Sequence, residues 1–164
     1  ARFPFGYDEW VVVIRPVGTR CLVVSRNAIT RVYDELGDLI KKFTSILPGG
    51  GLGINGLIRI IIEGACMIDC IFWEAANRFF ILDVLGWNGQ IFVHCPPSER
   101  FSFINLKILD LSIGKAVNNF CILKNIPMFY DLPRFKACIN DIVKYSQVTC
   151  PFRIDSYLWY HSKS

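Results

Sequence analysis

The sequence predicts a single α+β domain in which antiparallel strands form twisted sheets and helices flank them. Short runs rich in β-branched and aromatic residues recur between turn residues, which is typical of strands. Two later segments instead repeat apolar residues every three or four positions, as helices do. With 164 residues, residues 1–164 are long enough to bury a core as one domain. The sequence does not begin with Met, so we expect this domain to be part of a longer protein.

The first part of the chain has the pattern of an antiparallel meander. Residues 10–14 form a continuous apolar run, and residues 21–24 resume it after the Pro and Gly of residues 15–20. A turn at 25–27 and alternating residues at 30–33 predict a further hairpin arm. We therefore expect the strands at 10–14 and 21–24 to be adjacent.

The later part of the chain mixes strands and helices. Residues 66–74 and 78–85 are apolar runs separated by a short polar segment, which predicts a hairpin. Apolar spacing predicts helices over 99–113 and 132–147, and residues 151–160 resemble a final strand.

Residues 47–56 contain five glycines and have two interpretations. Bare backbone amides can cradle a phosphate group. However, the segment lacks the Lys-Ser/Thr ending of a P-loop and the spacing of a dinucleotide-binding loop. The sequence favours a flexible connector.

Composition restricts the class of partner. The chain is 52% hydrophobic, but its most apolar stretch, residues 57–80, is interrupted by charged side chains, so we expect a soluble protein without a membrane span.

The net charge of +4 and the isoelectric point of 8.7 suit a short phosphate-containing ligand better than a long duplex.

The seven cysteines are odd in number and irregularly spaced. Cys66 and Cys70 lie four residues apart, but no second ligand pair of a zinc site follows. Buried free thiols are favoured over a metal site, and they indicate a reducing compartment such as the cytosol or nucleus.

Four motifs in order resemble those of the covalent nucleotidyltransferases, the group that includes mRNA capping enzymes. Residues 15–20 resemble the family's first motif, Lys-x-Asp-Gly-x-Arg, and residues 67–71 resemble its Leu-Leu-Asp-Gly-Glu strand. Residues 80–90 resemble the strand and turn that follow in capping enzymes, and residues 155–159 stand where the family has Asp-Gly-Leu-Ile-Phe. The resemblance implies the nucleotidyltransferase fold.

The departures from these motifs fall at the reacting centre. Arg15 stands in place of the nucleophilic Lys, and a guanidinium stays protonated and cannot attack. Val17 replaces the motif Asp, and Ile71 replaces the Glu. These substitutions indicate a nucleotide pocket that has no catalytic activity.

The chain is similar to the trimethylguanosine-cap-binding domains of the snurportin family. The match includes residues 10–13, 16–20, 68–71 and 82–84, and its most specific part is residues 43–50, Phe-Thr-Ser-Ile-Leu-Pro-Gly-Gly. The resemblance implies binding of the hypermethylated cap of spliceosomal snRNA, without catalysis or cofactor. It also implies a nuclear-import adaptor that shuttles between cytoplasm and nucleus. The implied partners are capped snRNA or snRNP and, through a segment outside this chain, importin-β; the domain is expected to be monomeric.

The resemblance also implies the site. Arg20, at the family's motif Arg, is the first candidate for a phosphate or ribose contact. The candidate contact residues are Arg20, Arg15, Thr19, Ser25 and Arg26, and the candidate pocket wall is Asp69, Trp87 and Asp155. The tryptophans with which the family stacks the cap have no counterparts in this sequence, so either the fragment is truncated or the cap is bound differently.

Two other functions are compatible with the sequence. A divergent guanylyltransferase or RNA ligase would need its lysine elsewhere, and Lys41, Lys42 and Lys107 are not in a Lys-x-Asp-Gly frame. A protein-interaction scaffold without nucleotide binding is the other alternative.

Overall fold

Nine strands and one α-helix make up the part of the chain that the computed structural model describes, namely residues 10–53, 64–112, 120–122, 137, 140 and 153–161. The strands are β1 (Trp10–Pro16), β2 (Thr19–Arg26), β3 (Ile29–Tyr33), β4 (Leu39–Phe43), β5 (Ala65–Trp73), β6 (Arg78–Trp87), β7 (Gln90–Ile91), β8 (Phe120–Ile122) and β9 (Ile154–His161). The helix is α1 (Pro97–Ser112).

The larger sheet has seven strands in the order β4-β3-β2-β5-β6-β7, with β8 alongside β6. Its pairs are antiparallel except β6–β8. β2 and β3 are joined through Asn27 and Ala28, both at positive φ, as tight hairpins require. β5 and β6 are joined by a 3-10 turn at Glu74–Ala76 that ends on left-handed Asn77. Both hairpins were predicted, and the α+β class is confirmed.

The predicted neighbour of β1 was wrong. β1 pairs with β9 in a separate two-stranded sheet, with Trp10 opposite His161 and Ile14 opposite Tyr157. Pro16 has no N–H to extend a hairpin, and the Val17 amide donates to the Arg153 carbonyl at 2.7 Å. The connection therefore carries the chain from the small sheet into β2 of the large sheet.

Both faces of the large sheet carry a buried apolar cluster. One cluster includes Val23, Ile68, Phe79 and Ile104 of α1. The second fixes the small sheet against the other face, because Val13 of β1 packs with Ile71, Phe80, Leu82 and Phe101. Leu158 and Tyr160 of β9 pack against this second cluster.

The helix α1 matches the prediction for residues 99–113, although it begins two residues earlier, and Ile113 lies outside the described residues. The helix predicted over 132–147 also lies outside them, except that Ala137 and Asn140 are helical. The predicted final strand is present as β9. In the described part of the chain, no helix has the length and apolar character needed to span a bilayer.

The glycine-rich segment is closely packed rather than flexible over residues 47–53. Gly49 has a φ of +73°, and a Cβ there would collide with the Gly64 carbonyl. The Gly50 amide donates to the Leu47 carbonyl at 2.8 Å, and the Leu52 amide donates to the Ser45 carbonyl at 3.0 Å. Because these amides are already bonded within the loop, they are not available to bind a phosphate group.

A buried ion pair ties α1 to the large sheet. Arg100 Nε and Nη2 donate to the two carboxylate oxygens of Asp83 at 3.0 Å each, and Nη1 donates to the Cys95 carbonyl. The two side chains are 7% and 6% exposed. Burial raises the pKa of the Asp83 carboxyl, and the hydrogen bonds from Arg100 oppose that shift.

We predict that Asp83→Asn lowers the free energy of unfolding by about 3–5 kcal/mol, because it leaves the Arg100 charge buried without its counterion. The matched control is Asp155→Asn, which removes a carboxylate that is 47% exposed and should cost less than about 1 kcal/mol. Urea denaturation of the three proteins measures both differences. Equal losses in the two variants would contradict the structural role of the Asp83–Arg100 pair.

Candidate ligand-binding site

The register between β2 and β5 decides which side chains share a face of the large sheet. Arg20 lies opposite Ile71, and Leu22 lies opposite Asp69. Arg20 and Asp69 are thus diagonal neighbours on one face, a separation that a long side chain can bridge. The alternate residues of β2 (Cys21, Val23 and Ser25) point to the other face, and each of these side chains is buried.

Arg20 and Asp69 form a two-point ion pair. Nη2 of Arg20 donates to Asp69 Oδ2 at 2.7 Å and Nε donates to Oδ1 at 3.2 Å. The arginine side chain is 42% exposed and the aspartate 15%. The pKa of Arg20 is raised, chiefly by these hydrogen bonds. A guanidinium carries five N–H donors, so Asp69 fixes its plane and leaves further donors at the surface.

Two hollows share Arg20, Asp34 and Glu35 as lining residues. The first, of about 330 Å³, is lined by Arg15, Gly18, Thr19, Arg20, Asp34, Glu35 and Leu36. The second, of about 310 Å³, is lined by Arg20, Cys21, Leu22, Asp34, Glu35, Asp69 and Leu85. Each is within the size range of small-molecule sites, and a ligand in either hollow could contact Arg20.

Arg15 reaches the first hollow from β1. Its Nη1 lies 3.7 Å from Asp155 Oδ2 on β9, and the two side chains are 31% and 47% exposed. Among the described residues, the buried Nε of Arg15 has no hydrogen-bond partner. The structure thus brings together five of the predicted site residues: Arg15, Thr19, Arg20, Asp69 and Asp155.

Gly18 shapes the segment between the two arginines. Its φ is +154°, and a Cβ at this position would lie 2.6 Å from the Phe72 carbonyl oxygen and 2.7 Å from Cγ2 of Ile71. The backbone oxygen cannot move without disturbing β5. Glycine at this motif position therefore lets the chain pass directly over β5 and brings Arg15 and Arg20 to one hollow.

Three predicted site residues lie elsewhere. Ser25 is fully buried and donates to the Pro48 carbonyl at 2.6 Å. Trp87 is 7% exposed in the core and makes an edge contact with Phe103 at 6.1 Å. Trp87 lies opposite Cys66, and Cys66 lies opposite Ser25, so these residues share the face away from Arg20. Arg26 is exposed, but it lies six positions after Arg20 on β2. At the rise of a β-strand this places it about 20 Å from Arg20.

The turn between β3 and β4 supplies three lining residues that sequence reasoning missed. Asp34 and Glu35 line both hollows, and Leu36 lines the first. No family motif marks these positions. The available signal was an acidic turn directly after a strand that pairs with the Arg20 strand.

The cysteines of the described chain fit the prediction of free thiols. Cys21, Cys66 and Cys70 are buried and unpaired, and Cys95 is partly buried. Burial raises the pKa of the Cys21 thiol and of the Cys66 thiol to about 12. No group of three or more potential ligand residues is placed to hold a metal ion in the part of the chain that the structure describes.

The comparisons with known proteins agree with this fold. A family model described as "Snurportin1, m3G cap-binding domain" matches residues 5–164. Two solved structures are similar at a TM-score of 0.58 and 11% identity: mycobacterial DNA ligase D complexed with ATP and MES, and the ligase domain of DNA ligase D from Mycobacterium tuberculosis. The matches cover 95% of this chain but only 49% and 48% of those chains, so this chain spans about half their length. At this identity, the likeness confirms the predicted nucleotidyltransferase-like fold.

We predict that Cys21 resists alkylation, because its side chain is buried on the other face of the sheet although the residue lines the second hollow. With a pKa of about 12, only about one thiol in ten thousand is ionised at pH 8, and the thiolate is the reactive form. Iodoacetamide labelling followed by peptide mass spectrometry should modify Cys95 much faster than Cys21, and denaturation should remove the difference. Equal rates in the native protein would contradict the burial of Cys21.

Proposed function

Because the chain belongs to the family of snurportin1 m3G cap-binding domains, we propose that it binds the m3G (trimethylguanosine) cap of RNA in the two hollows beside Arg20. The observation that supports this site most strongly is the Arg20–Asp69 pair. It fixes a partly exposed guanidinium that lines two hollows of ligand size.

The chemistry of a cap matches the lining of the hollows. A methylated cap joins a flat purine with delocalised positive charge to an anionic triphosphate bridge. Arginine donors suit the bridge, because charge-assisted hydrogen bonds to phosphate are among the strongest available to a protein. The partly exposed guanidinium groups of Arg20 and Arg15 are the donors that we assign to phosphate or ribose oxygens, and Thr19 lines the first hollow with them.

We also propose that binding is not followed by covalent chemistry. Arg15 stands where the nucleotidyltransferases have their lysine, and a guanidinium does not act as a nucleophile. The place of the motif Glu is taken by Ile71, which is fully buried in the apolar cluster under the small sheet. The alternative, a divergent guanylyltransferase or RNA ligase, has the fold likeness to the DNA ligase D structures in its favour.

The cellular role that we propose follows from family membership. The protein carries capped spliceosomal snRNA or snRNP as a nuclear-import adaptor and shuttles between cytoplasm and nucleus. Importin-β binds through a segment other than residues 1–164, which act as one monomeric domain. Co-precipitation of capped snRNA and importin-β with the protein from cell extract tests both partners.

The test for catalysis is a search for a covalent adduct. After incubation with GTP or ATP and Mg²⁺ or Mn²⁺, we expect no nucleotide linked to the protein in intact-mass spectra. Arg15→Lys should not create an adduct either, because Val17 and Ile71 still lack the carboxylates of the family motifs. A phosphoamide-linked nucleotide on the unaltered protein would establish the enzymatic alternative.

We predict that Arg20→Ala weakens binding of an m3G cap dinucleotide by about 1.5–3 kcal/mol, the range for hydrogen bonds to charged groups. Tryptophan-fluorescence titration of the unaltered and the variant protein measures the two dissociation constants. Affinity should also fall as salt is added, because phosphate contacts are sensitive to screening.

Arg26→Ala is the matched control for this titration. It removes the same side chain from the same strand but outside both hollows, so its effect should be much smaller than that of Arg20→Ala. Equal affinities of Arg20→Ala and the unaltered protein would show that the cap does not bind at this site.

A further inference from the structure

Two carboxylates, those of Asp34 and Glu35, line the first hollow together with two arginines, Arg15 and Arg20. Asp34 and Glu35, on the turn between β3 and β4, line both hollows together with Arg20. A purely anionic ligand would be repelled by such a wall, since like charges held within a few ångströms are unfavourable. A ligand that carries both positive and negative charge has groups of opposite sign to contact in this lining.

The two carboxylates have different roles. The Asp34 carboxylate is hydrogen-bonded to the backbone of its own turn: its Oδ1 accepts from the Leu36 and Asp38 amides at 2.9 Å each. Glu35 is exposed, and its charge contributes, as one of the smaller causes, to the raised pKa of Arg20. The Glu35 carboxylate is therefore the charge on this wall that a ligand can approach.

An apolar side chain adjoins this charge. Leu36 is 87% exposed and lines the first hollow beside Glu35. A flat base that lay against Leu36 would bury apolar surface there and bring its ring close to the Glu35 carboxylate. The partly exposed guanidinium groups of Arg15 and Arg20 line the same hollow, and they suit the phosphate end of the same ligand.

We infer, on the basis of the proposed function, that Glu35 selects a positively charged base, with Leu36 in contact with the ring. The base carries this charge only when its N7 is methylated. The turn thus makes the hollow prefer the N7-methylated cap over the same cap with neutral guanine, while Arg20 and Arg15 hold the phosphate bridge of either ligand.

The test compares two cap dinucleotides that differ only in the N7 methyl group. For the unaltered protein, the m3G cap should bind more tightly than its analogue without that methyl. Glu35→Gln should reduce this preference by about two- to fivefold, the range for a solvent-exposed charge pair. Weaker binding of the charged base should account for the reduction, and binding of the neutral analogue should be equal or tighter.

Asp38→Asn is the control, because it removes the same charge from the same turn at a residue that does not line either hollow. It should leave the preference unchanged. An unchanged preference in Glu35→Gln, or an equal reduction in Asp38→Asn, would overturn the role of Glu35.

Arg20→Ala separates this inference from the proposed function. If it weakens both ligands equally while Glu35→Gln leaves the preference intact, the cap site stands and the selection by Glu35 fails. If the unaltered protein binds neither ligand, the proposed function itself fails, and the inference fails with it.

Discussion

The antiparallel register between β2 and β5 is the constraint on which the candidate site depends. It places Arg20 diagonally across from Asp69, and their two hydrogen bonds fix the guanidinium at the edge of both hollows. The same register pairs Ser25 with Cys66 on the opposite, buried face. A shift of one residue would exchange the two faces and bury the Arg20 charge without its partner.

The small sheet adds the second wall of the site. Val13 of β1 is buried against Ile71 and Phe80 of the large sheet. This packing positions β1 so that Arg15, on the same strand, lines the first hollow. Ile71 serves this packing where a nucleotidyltransferase would carry a catalytic carboxylate. At this position an apolar side chain stabilises the contact between the two sheets, and the same substitution is part of the reason for proposing that the site binds without catalysis.

The sequence predicted what local pattern specifies. The β2–β3 and β5–β6 hairpins and the helix α1 follow from turn residues and periodicity. The pairing of β1 with β9 joins strands more than a hundred residues apart, and no local signal marks it. The wrong placement of Ser25 could have been avoided from the sequence, because Ser25 is five positions from Arg20 and an odd spacing in a strand reverses the face. The position of Glu35 beside the arginines could not be predicted from the sequence, since only the folded sheet brings that turn to them.

A double-mutant cycle between Arg20 and Asp69, measured by titration with an m3G cap dinucleotide, tests the central claim most directly. If Asp69 holds the guanidinium in its binding orientation, Asp69→Asn should itself weaken binding, and Arg20→Ala should cost less in the Asp69→Asn background. The expected coupling is about 0.5–3 kcal/mol, as for other residues in direct contact. Effects that add to within about 0.3–0.5 kcal/mol would contradict the account, because Arg20 would then act without Asp69.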